Sequence, residues 1–275
     1  MVMTDSPIDA AESVARILAT LALEQVAPNR WRAPTAGGEG RLFGGQVAAQ
    51  SVKAACLTVD PERRVNSFHA YFVRGGRPGV ALDLDVRIVR DGRSFSTRHV
   101  TANQDDVPIF EMLASFHTEE TGTDWQLPPP QGVRAPEDLE PLGLSWFHMA
   151  GFDIRLIRGL REISRFPIVH PCWIRLRAPV GDDPVTHASL MAFMSDMALM
   201  GSAAAPGSRF EMPGSASLDH AVWFHRHARV DDWLLYSAEP TTNFGARGLA
   251  RGTLHTREGT LVASIAQEAL LRTGR

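Results

Sequence analysis

His187–Gly201 reads HASLMAFMSDMALMG, an apolar run into which one carboxylate, Asp196, is set. Met191, Met194, Met197 and Met200 recur every third position, with Phe193 and Leu199 between them, a spacing that predicts a buried helix of about four turns. Thr186 is placed to cap its start and Gly201 to end it. A helix apolar on nearly every side lies against a sheet, and an acid inside it loses hydration unless neighbouring groups hold it. Taken alone, the run fits an acid held by structural hydrogen bonds better than a reactive one.

Outward from this helix the sequence is rich in strands. Cys172–Arg177 precedes it as an extended segment; Ser217–Arg226, Trp233–Glu239, Ala246–His255 and Thr260–Leu271 follow as strands. The first half has the same order. A helix opens at Ser6-Pro7 and carries Val14, Ile17, Leu18, Leu21 and Val26 on one face. Trp31–Pro34 is extended, Gly37–Gly40 bends, and Val47–Leu57, with Ala48, Ala49, Ala54 and Ala55, is a helix of small residues that a sheet can wrap closely. Strands at Val65–Val73, Val80–Ile88, Ser94–Asn103 and Val107–His117 form a meander, with turns at Asp91-Gly92 and Asp105-Asp106.

The halves can be laid one on the other. Phe43 pairs with Phe193, Tyr71-Phe72-x-Arg74 with Trp223-Phe224-x-Arg226, Phe95-x-x-Arg98 with Phe244-x-x-Arg247, and Pro108-Ile109 with Thr260-Leu261. The separations are 150, 152, 149 and 152 (43 to 193, 71 to 223, 95 to 244, 108 to 260), which points to an internal duplication. The expected fold is α+β: two helix-wrapped antiparallel sheets pairing as a pseudo-dimer within one chain. Residues 1–120 are the N-terminal unit, 121–150 a linker marked by Pro128-Pro129-Pro130 and packed down near Trp146 and Phe147, and 151–275 the C-terminal unit.

Composition narrows the function. Hydrophobic content of 44%, charge of 21% and a net charge of −3 describe a globular chain without broad attraction for nucleic acid or anionic membrane. No apolar run is long enough to span a bilayer, and MVMTDSPIDAAES lacks the basic-then-apolar order of a signal peptide. Cys56 and Cys172 fit no metal or redox motif, so a cytoplasmic setting with two inert core thiols is expected. Gly-x-Ser-x-Gly, His-Glu-x-x-His and phosphate-loop motifs are absent.

Three residues of the second half converge in this layout: Asp196 on the helix, Ser217 opening a strand, and Gln267 in the last strand. Their counterparts in the first half are Gln46, Val65 and Ser115, so the second half alone carries an ionisable group at the helix position. The set suits addition of water to an activated acyl group, with Asp196 as base and Ser217 and Gln267 holding the water. Backbone N–H groups at a helix start suit a developing oxyanion, and Gly44 and Gly45 allow close approach there.

The segments FGGQVAAQSV, VNSFHAYFVRGG, VRDGRSFSTR, PIFEMLASFH, FMSDMALM, SLDHAVWFHR, DWLLYSAEP, ARGLARG and ASIAQEALLR resemble, in order, the acyl-CoA thioesterase II family of double-hotdog thioesterases. The resemblance runs from about Leu18 to Arg272. It implies hydrolysis of acyl-CoA to acid and CoA without metal or redox cofactor, with Asp196, Ser217 and Gln267 binding the hydrolytic water. Gly44, Gly45, Gln46 and His69 stand as further substrate or oxyanion candidates, and a homo-oligomer is expected. Glu239–Phe244 carries a proline and a Phe where similar proteins have small residues, which suggests a reshaped acyl pocket, and Asn66 stands where some relatives have His.

Other residues have plainer readings. Asp219-His220 is an acid beside a base, but adjacent strand residues face opposite ways, which favours a structural role with Asp219 bonding backbone. His69 reads as a structural histidine at the junction of the halves, and His225-x-His227 lacks a further metal ligand at a recognised spacing. Arg74, Arg226, Arg247 and Arg251 are candidates for CoA phosphates, each more simply read as surface or strand-end residues. Two alternatives stay open: a hydratase of enoyl-CoA, which wants a His beside the Asp, and a non-catalytic acyl-CoA-binding protein.

Overall fold

The computed structural model describes residues 9–142, 151–157, 161–163, 166–168, 170–208, 210–211 and 214–272. The first half runs α1 (Ala10–Thr20), β1 (Glu24–Ala27), β2 (Arg30–Ala33), α2 (Gly44–Cys56), β3 (Arg63–Phe72), β4 (Leu82–Asp91), β5 (Phe95–Gln104) and β6 (Val107–Thr118). The second runs β7 (Phe152–Leu156), β8 (Arg161–Ile163), β9 (Phe166–Ile168), β10 (Cys172–Leu176), α3 (Pro184–Ser195), α4 (Leu199–Ser202), β11 (Ala216–Ser217), β12 (Asp219–Phe224), β13 (Leu234–Phe244), β14 (Arg247–Thr256) and β15 (Leu261–Leu270). The helix start at Ser6-Pro7 lies outside the described residues, as do Trp146 and Phe147.

One antiparallel sheet runs through both halves in the order β1-β2-β4-β5-β6-β3-β12-β15-β14-β13-β10-β7, with β11 beside β15. The halves meet where β3 pairs with β12, Ala70 opposite His220 and Phe68 opposite Val222. α2 lies in the middle, touching α3 and β2 through β6. Ala48, Ala49, Ala54 and Ala55 on α2 are fully buried, so side chains this small let strands and α3 approach its backbone. This is the double-hotdog arrangement, with a core cluster that draws on both halves.

The β-bulges give a register for the duplication that the sequence pairing approximates. β4 slips against β5 between Ile88 and Arg90, and β13 against β14 between Pro240 and Thr242, an offset of 152 (88 to 240). Their partners Arg98 and Ala250 share that offset, so Arg98 answers to Ala250 and the pairing of Phe95-x-x-Arg98 with Phe244-x-x-Arg247 is displaced. Val65 does answer to Ser217, because β3 slips just after Val65 and the chain slips just after Ser217. One residue further along β15 than expected, Gln267 answers to Ala114, not Ser115.

The helices depart furthest. α2 begins at Gly44 and α3 at Pro184, an offset of 140 (44 to 184), so Gln46 lies in a first turn while Asp196 lies just past a helix end. Phe43 and Phe193 are not counterparts; they touch across the halves, edge to face, with centroids 5.0 Å apart. α3 is capped by Asp183, whose carboxylate accepts from the Val185 and Thr186 N–H groups, with Pro184 opening the helix. It stops at Ser195 because Ala198 takes a left-handed conformation (φ 59°), and the short α4 follows. The methionine spacing runs unbroken across this interruption, which is why it reads as one helix.

The connection between halves is pinned to the second. Gln126 donates to the Gly259 carbonyl and accepts from the Leu261 N–H, Glu137 pairs with Arg257, and the Trp173 indole donates to the Arg134 carbonyl. Leu139 packs with Trp173, Trp233 and Leu235 in a small satellite core.

Candidate active site

The break after α3 turns the Asp196 side chain out of the helix ladder toward β15 and α2. Gln267 Nε2 donates to Asp196 Oδ1 at 2.6 Å, and Ser217 Oγ donates to Gln267 Oε1 at 3.2 Å. The structure thus brings together the three residues singled out from the sequence. Two further residues join them: Gln267 Nε2 lies 3.2 Å from His220 Nδ1, and His220 Nε2 lies 2.7 Å from Ser195 Oγ. Gln267 and His220 are fully buried, Asp196 is 9% exposed and Ser217 is half-buried.

Burial pushes the Asp196 carboxyl up to about 7, against the pull of the Gln267 amide and the Gly45 N–H, which both favour the ionised form. The imidazole of His220 is driven the other way, down to about 3, by burial alone, so it is neutral. The Tyr236 hydroxyl donates to the Ser195 carbonyl at the end of α3 and is held far above its usual range by burial and by Asp196. Asp219 is the backbone brace anticipated for it: its Oδ1 accepts from the Glu268 N–H at 2.7 Å.

Asp196 and Ser217 face a groove of about 470 Å³ whose walls come from both halves. Leu42, Phe43, Phe72, Ile109 and Phe110 form its apolar part, Met200 and Leu218 the facing side, and Arg41 and Arg74 also line it. A Cβ on Gly44 would stand 2.6 Å from the Phe72 ring and 2.9 Å from Asp196 Oδ2; one on Gly45 would stand 2.5 Å from the Phe193 carbonyl. Glycine is required at both positions because α2 begins against the site.

Other candidates fall elsewhere. Gln46 is buried and donates to the Pro34 carbonyl at 3.4 Å, on the side of α2 away from the groove lining. His69 is exposed on the outer sheet face, against Trp223 with centroids 5.0 Å apart. His225 contacts Ser264, and among the described residues no group of three or more His, Cys, Asp or Glu is placed to hold a metal. Arg226 pairs with Asp124, Arg247 with Glu268 and Arg251 with Glu239, which leaves Arg74 as the one of the four proposed phosphate contacts that lines the groove.

His220, Ser195 and Arg41 are additions that sequence reasoning missed. The Asp-His pair was visible, and strand alternation was rightly applied to it: Asp219 and His220 do face opposite ways. What the alternation did not reveal is that the inward face at this position is the site itself.

Residues 31–117 match the family described as the acyl-CoA thioesterase N-terminal domain, and residues 128–271 that described as its C-terminal domain. The chain belongs to the acyl-CoA thioesterase family. Acyl-coenzyme A thioesterase 8 of Mus musculus is 34% identical over 258 residues, covering 84% of this chain and 80% of the relative. Acyl-CoA thioesterase 2 of Haemophilus influenzae is 31% identical over 252 residues, covering 84% and 88%. Among solved structures, the tesB protein of Mycobacterium avium subs paratuberculosis superposes with a TM-score of 0.82 at 35% identity, covering 95% of this chain and 100% of that one. The acyl-CoA thioesterase II TesB2 of Mycobacterium marinum gives 0.79 at 37%, covering 94% and 98%.

One departure noted for this acyl-CoA thioesterase has a different consequence from the one expected. Glu239–Phe244 forms the exposed end of β13, with Pro240 at the bulge and Phe244 83% exposed, and none of it lines the groove. The segment decorates the surface and does not reshape the cavity beside Asp196.

Proposed function

We propose that the groove holds an acyl-CoA thioester and that Asp196 takes a proton from the water that attacks its carbonyl carbon. The chain is a thioester hydrolase of the acyl-CoA class; what is proposed is how its residues perform the reaction. The observation that carries the reading is the chain Ser217–Gln267–Asp196, which opens at both ends on one groove. Because the Ser217 hydrogen goes to Gln267 Oε1, the Ser217 oxygen keeps lone pairs that accept one water hydrogen while Asp196 accepts the other. Gln267, fully buried, orients both groups and is not itself in the groove lining.

Attack forms the C–O bond and places negative charge on the former carbonyl oxygen. The first turn of α2 offers the positive end of its dipole there. The Gly45 N–H faces Asp196, so the oxyanion donor assigned to this turn is the Gly44 N–H. Collapse breaks the C–S bond, and the proton held by Asp196 passes to the departing thiolate, which leaves acid, CoA thiol and an ionised Asp196. Arg41 and Arg74, bonded to the Ser215 and Pro108 carbonyls and without a carboxylate within 4.0 Å among the described residues, are assigned to the CoA phosphates.

The two free thiols support a reducing cytoplasm as the working compartment, and exposed Tyr71, Leu113 and Trp223 on the outer sheet face support a homo-oligomer. The division at 120 and 150 is supported by the long connection that lies between β6 and β7. Release of free thiol from a panel of acyl-CoA chain lengths tests the activity. Single turnover in isotopically labelled water, with label found in the product acid and none in Asp196, supports direct water attack; label in Asp196 means a covalent acyl-Asp intermediate instead.

A further inference from the structure

The hydrogen atoms around Gln267 can be counted, starting from an ionised Asp196. A carboxylate only accepts, so the group 2.6 Å from Oδ1 is the Gln267 nitrogen and not its oxygen. The second hydrogen on that nitrogen points at His220 Nδ1, 3.2 Å away, which must then be bare. A neutral imidazole with bare Nδ1 carries its hydrogen on Nε2 and donates it to Ser195 Oγ at 2.7 Å. Ser195 can accept it because its own hydrogen goes to the Ala192 carbonyl at 2.9 Å, inside the last turn of α3. Every donor and acceptor from the helix end to Asp196 is satisfied once, in one direction.

The opposite tautomer has an equally definite result. With hydrogen on Nδ1, His220 attracts the amide oxygen, and Gln267 turns over. Asp196 then faces a carbonyl oxygen in place of its donor, and Ser217 receives an N–H in one of its two lone pairs and no longer gives its own hydrogen to Gln267. The base loses its donor, and the Ser217 hydroxyl is no longer turned by the amide.

We infer that His220 is a positioning residue of this thioesterase: its bare Nδ1, fixed by Ser195 at the end of α3, holds the Gln267 amide with nitrogen toward Asp196 and oxygen toward Ser217. This rests on the reading of Asp196 as the base. The groups around His220 are Phe68 from β3, with ring centroids 5.7 Å apart, Ser195 from α3, and Gln267 from β15. Asp196, reached through Gln267, and Tyr236, reached through Ser195, are the ionisable groups the cluster faces.

Two measurements test it. Nitrogen-15 NMR of the His220 ring is expected to show a neutral imidazole with hydrogen on Nε2 at pH 8 and above, where Asp196 is ionised; hydrogen on Nδ1 there overturns the inference, and this readout needs no turnover. In thiol-release kinetics, His220→Leu is expected to lower kcat on the order of 10-fold or more with little change in KM, and to move the acid limb of the pH profile upward as Asp196 loses its oriented donor. His220→Asn, with an amide oxygen near the place of Nδ1, is expected to recover most of the rate. In a Gln267→Ala background His220→Leu is expected to add no further loss, since its effect passes through that amide. Wild-type kcat and pH profile in a folded His220→Leu, or losses that add fully with Gln267→Ala, overturn it. A wild-type protein that releases no thiol while showing the expected tautomer instead contradicts the reading of Asp196 as a thioesterase base.

Discussion

Replacing Asp196 with Asn joins activity and stability in one experiment. The carboxylate is 9% exposed, and its pKa stands at about 7 against 3.8 for a solvated Asp, because burial outweighs the Gln267 and Gly45 donors. The folded chain therefore binds this proton up to about pH 7 and the unfolded chain only up to about pH 4. Between those values the folded state holds more protons, so the stability carried by the protonated form is complete below about pH 4 and is lost as pH rises to about 7. At about 1.4 kcal/mol for each tenfold change in proton affinity, ionising Asp196 destabilises the fold by at most ~4 kcal/mol. Asn has nearly the same volume, still accepts from Gln267 Nε2, and cannot ionise. Asp196→Asn should thus match wild type in stability near pH 4, exceed it by a few kcal/mol at pH 8, and lose roughly 10²- to 10⁴-fold in thiol release. Denaturant unfolding at pH 4, 6 and 8 beside a thiol-release assay reads both effects. Turnover within tenfold of wild type, or a variant no more stable than wild type at pH 8, would refute a base whose reactivity derives from burial.

The same carboxylate sets the wild-type pH profile: kcat should rise with pH through about 7 and fall roughly tenfold for each pH step below it, and an acid limb near 4 would mean that a better-solvated group is the base. Gly44→Ala should reduce kcat more than it reduces Tm, since its Cβ enters the space between Phe72 and Asp196, whereas Gly45→Ala meets the Phe193 backbone and should mainly lower stability, by about 1–3 kcal/mol in denaturant unfolding. Ser217→Ala should cost less activity than Ser217→Val, because Val also fills the space assigned to water; equal losses would count against a water held there. Arg41→Ala with Arg74→Ala should raise KM for acyl-CoA and weaken its salt dependence while leaving hydrolysis of the matching acyl-pantetheine unchanged; an equal effect on both substrates would remove the assignment to phosphates.

Much of the fold was legible because strand alternation and turn chemistry are local. Asp105 and Asp106, both at positive φ (50° and 59°), turn β5 into β6 where the Asp-Asp pair was read as a turn. The duplication was legible as well, since Val65 and Ser217 do correspond. Its register was only approximate: identities such as Phe43 with Phe193 came from similar composition, and a bulge moves the pairing by one residue without changing the pattern of apolar positions. α3 was misjudged in length for a related reason. Methionine spacing reports which side chains are buried, and burial continues through the left-handed Ala198 although the hydrogen-bond ladder does not.

By itself, then, the sequence determined that two helix-and-meander units share one core, and it singled out Asp196, Ser217 and Gln267 in the second unit, although the first-half counterparts it gave Asp196 and Gln267, Gln46 and Ser115, are displaced in the fold. Only the tertiary structure decided what surrounds them. α2 of the other half supplies the glycines against Asp196; His220 and Ser195 set the direction of the Gln267 amide; burial between the halves raises the carboxyl to about 7. These are contacts between residues far apart in the chain, and a proton affinity depends on the whole volume around a group, which no spacing along one strand or helix encodes.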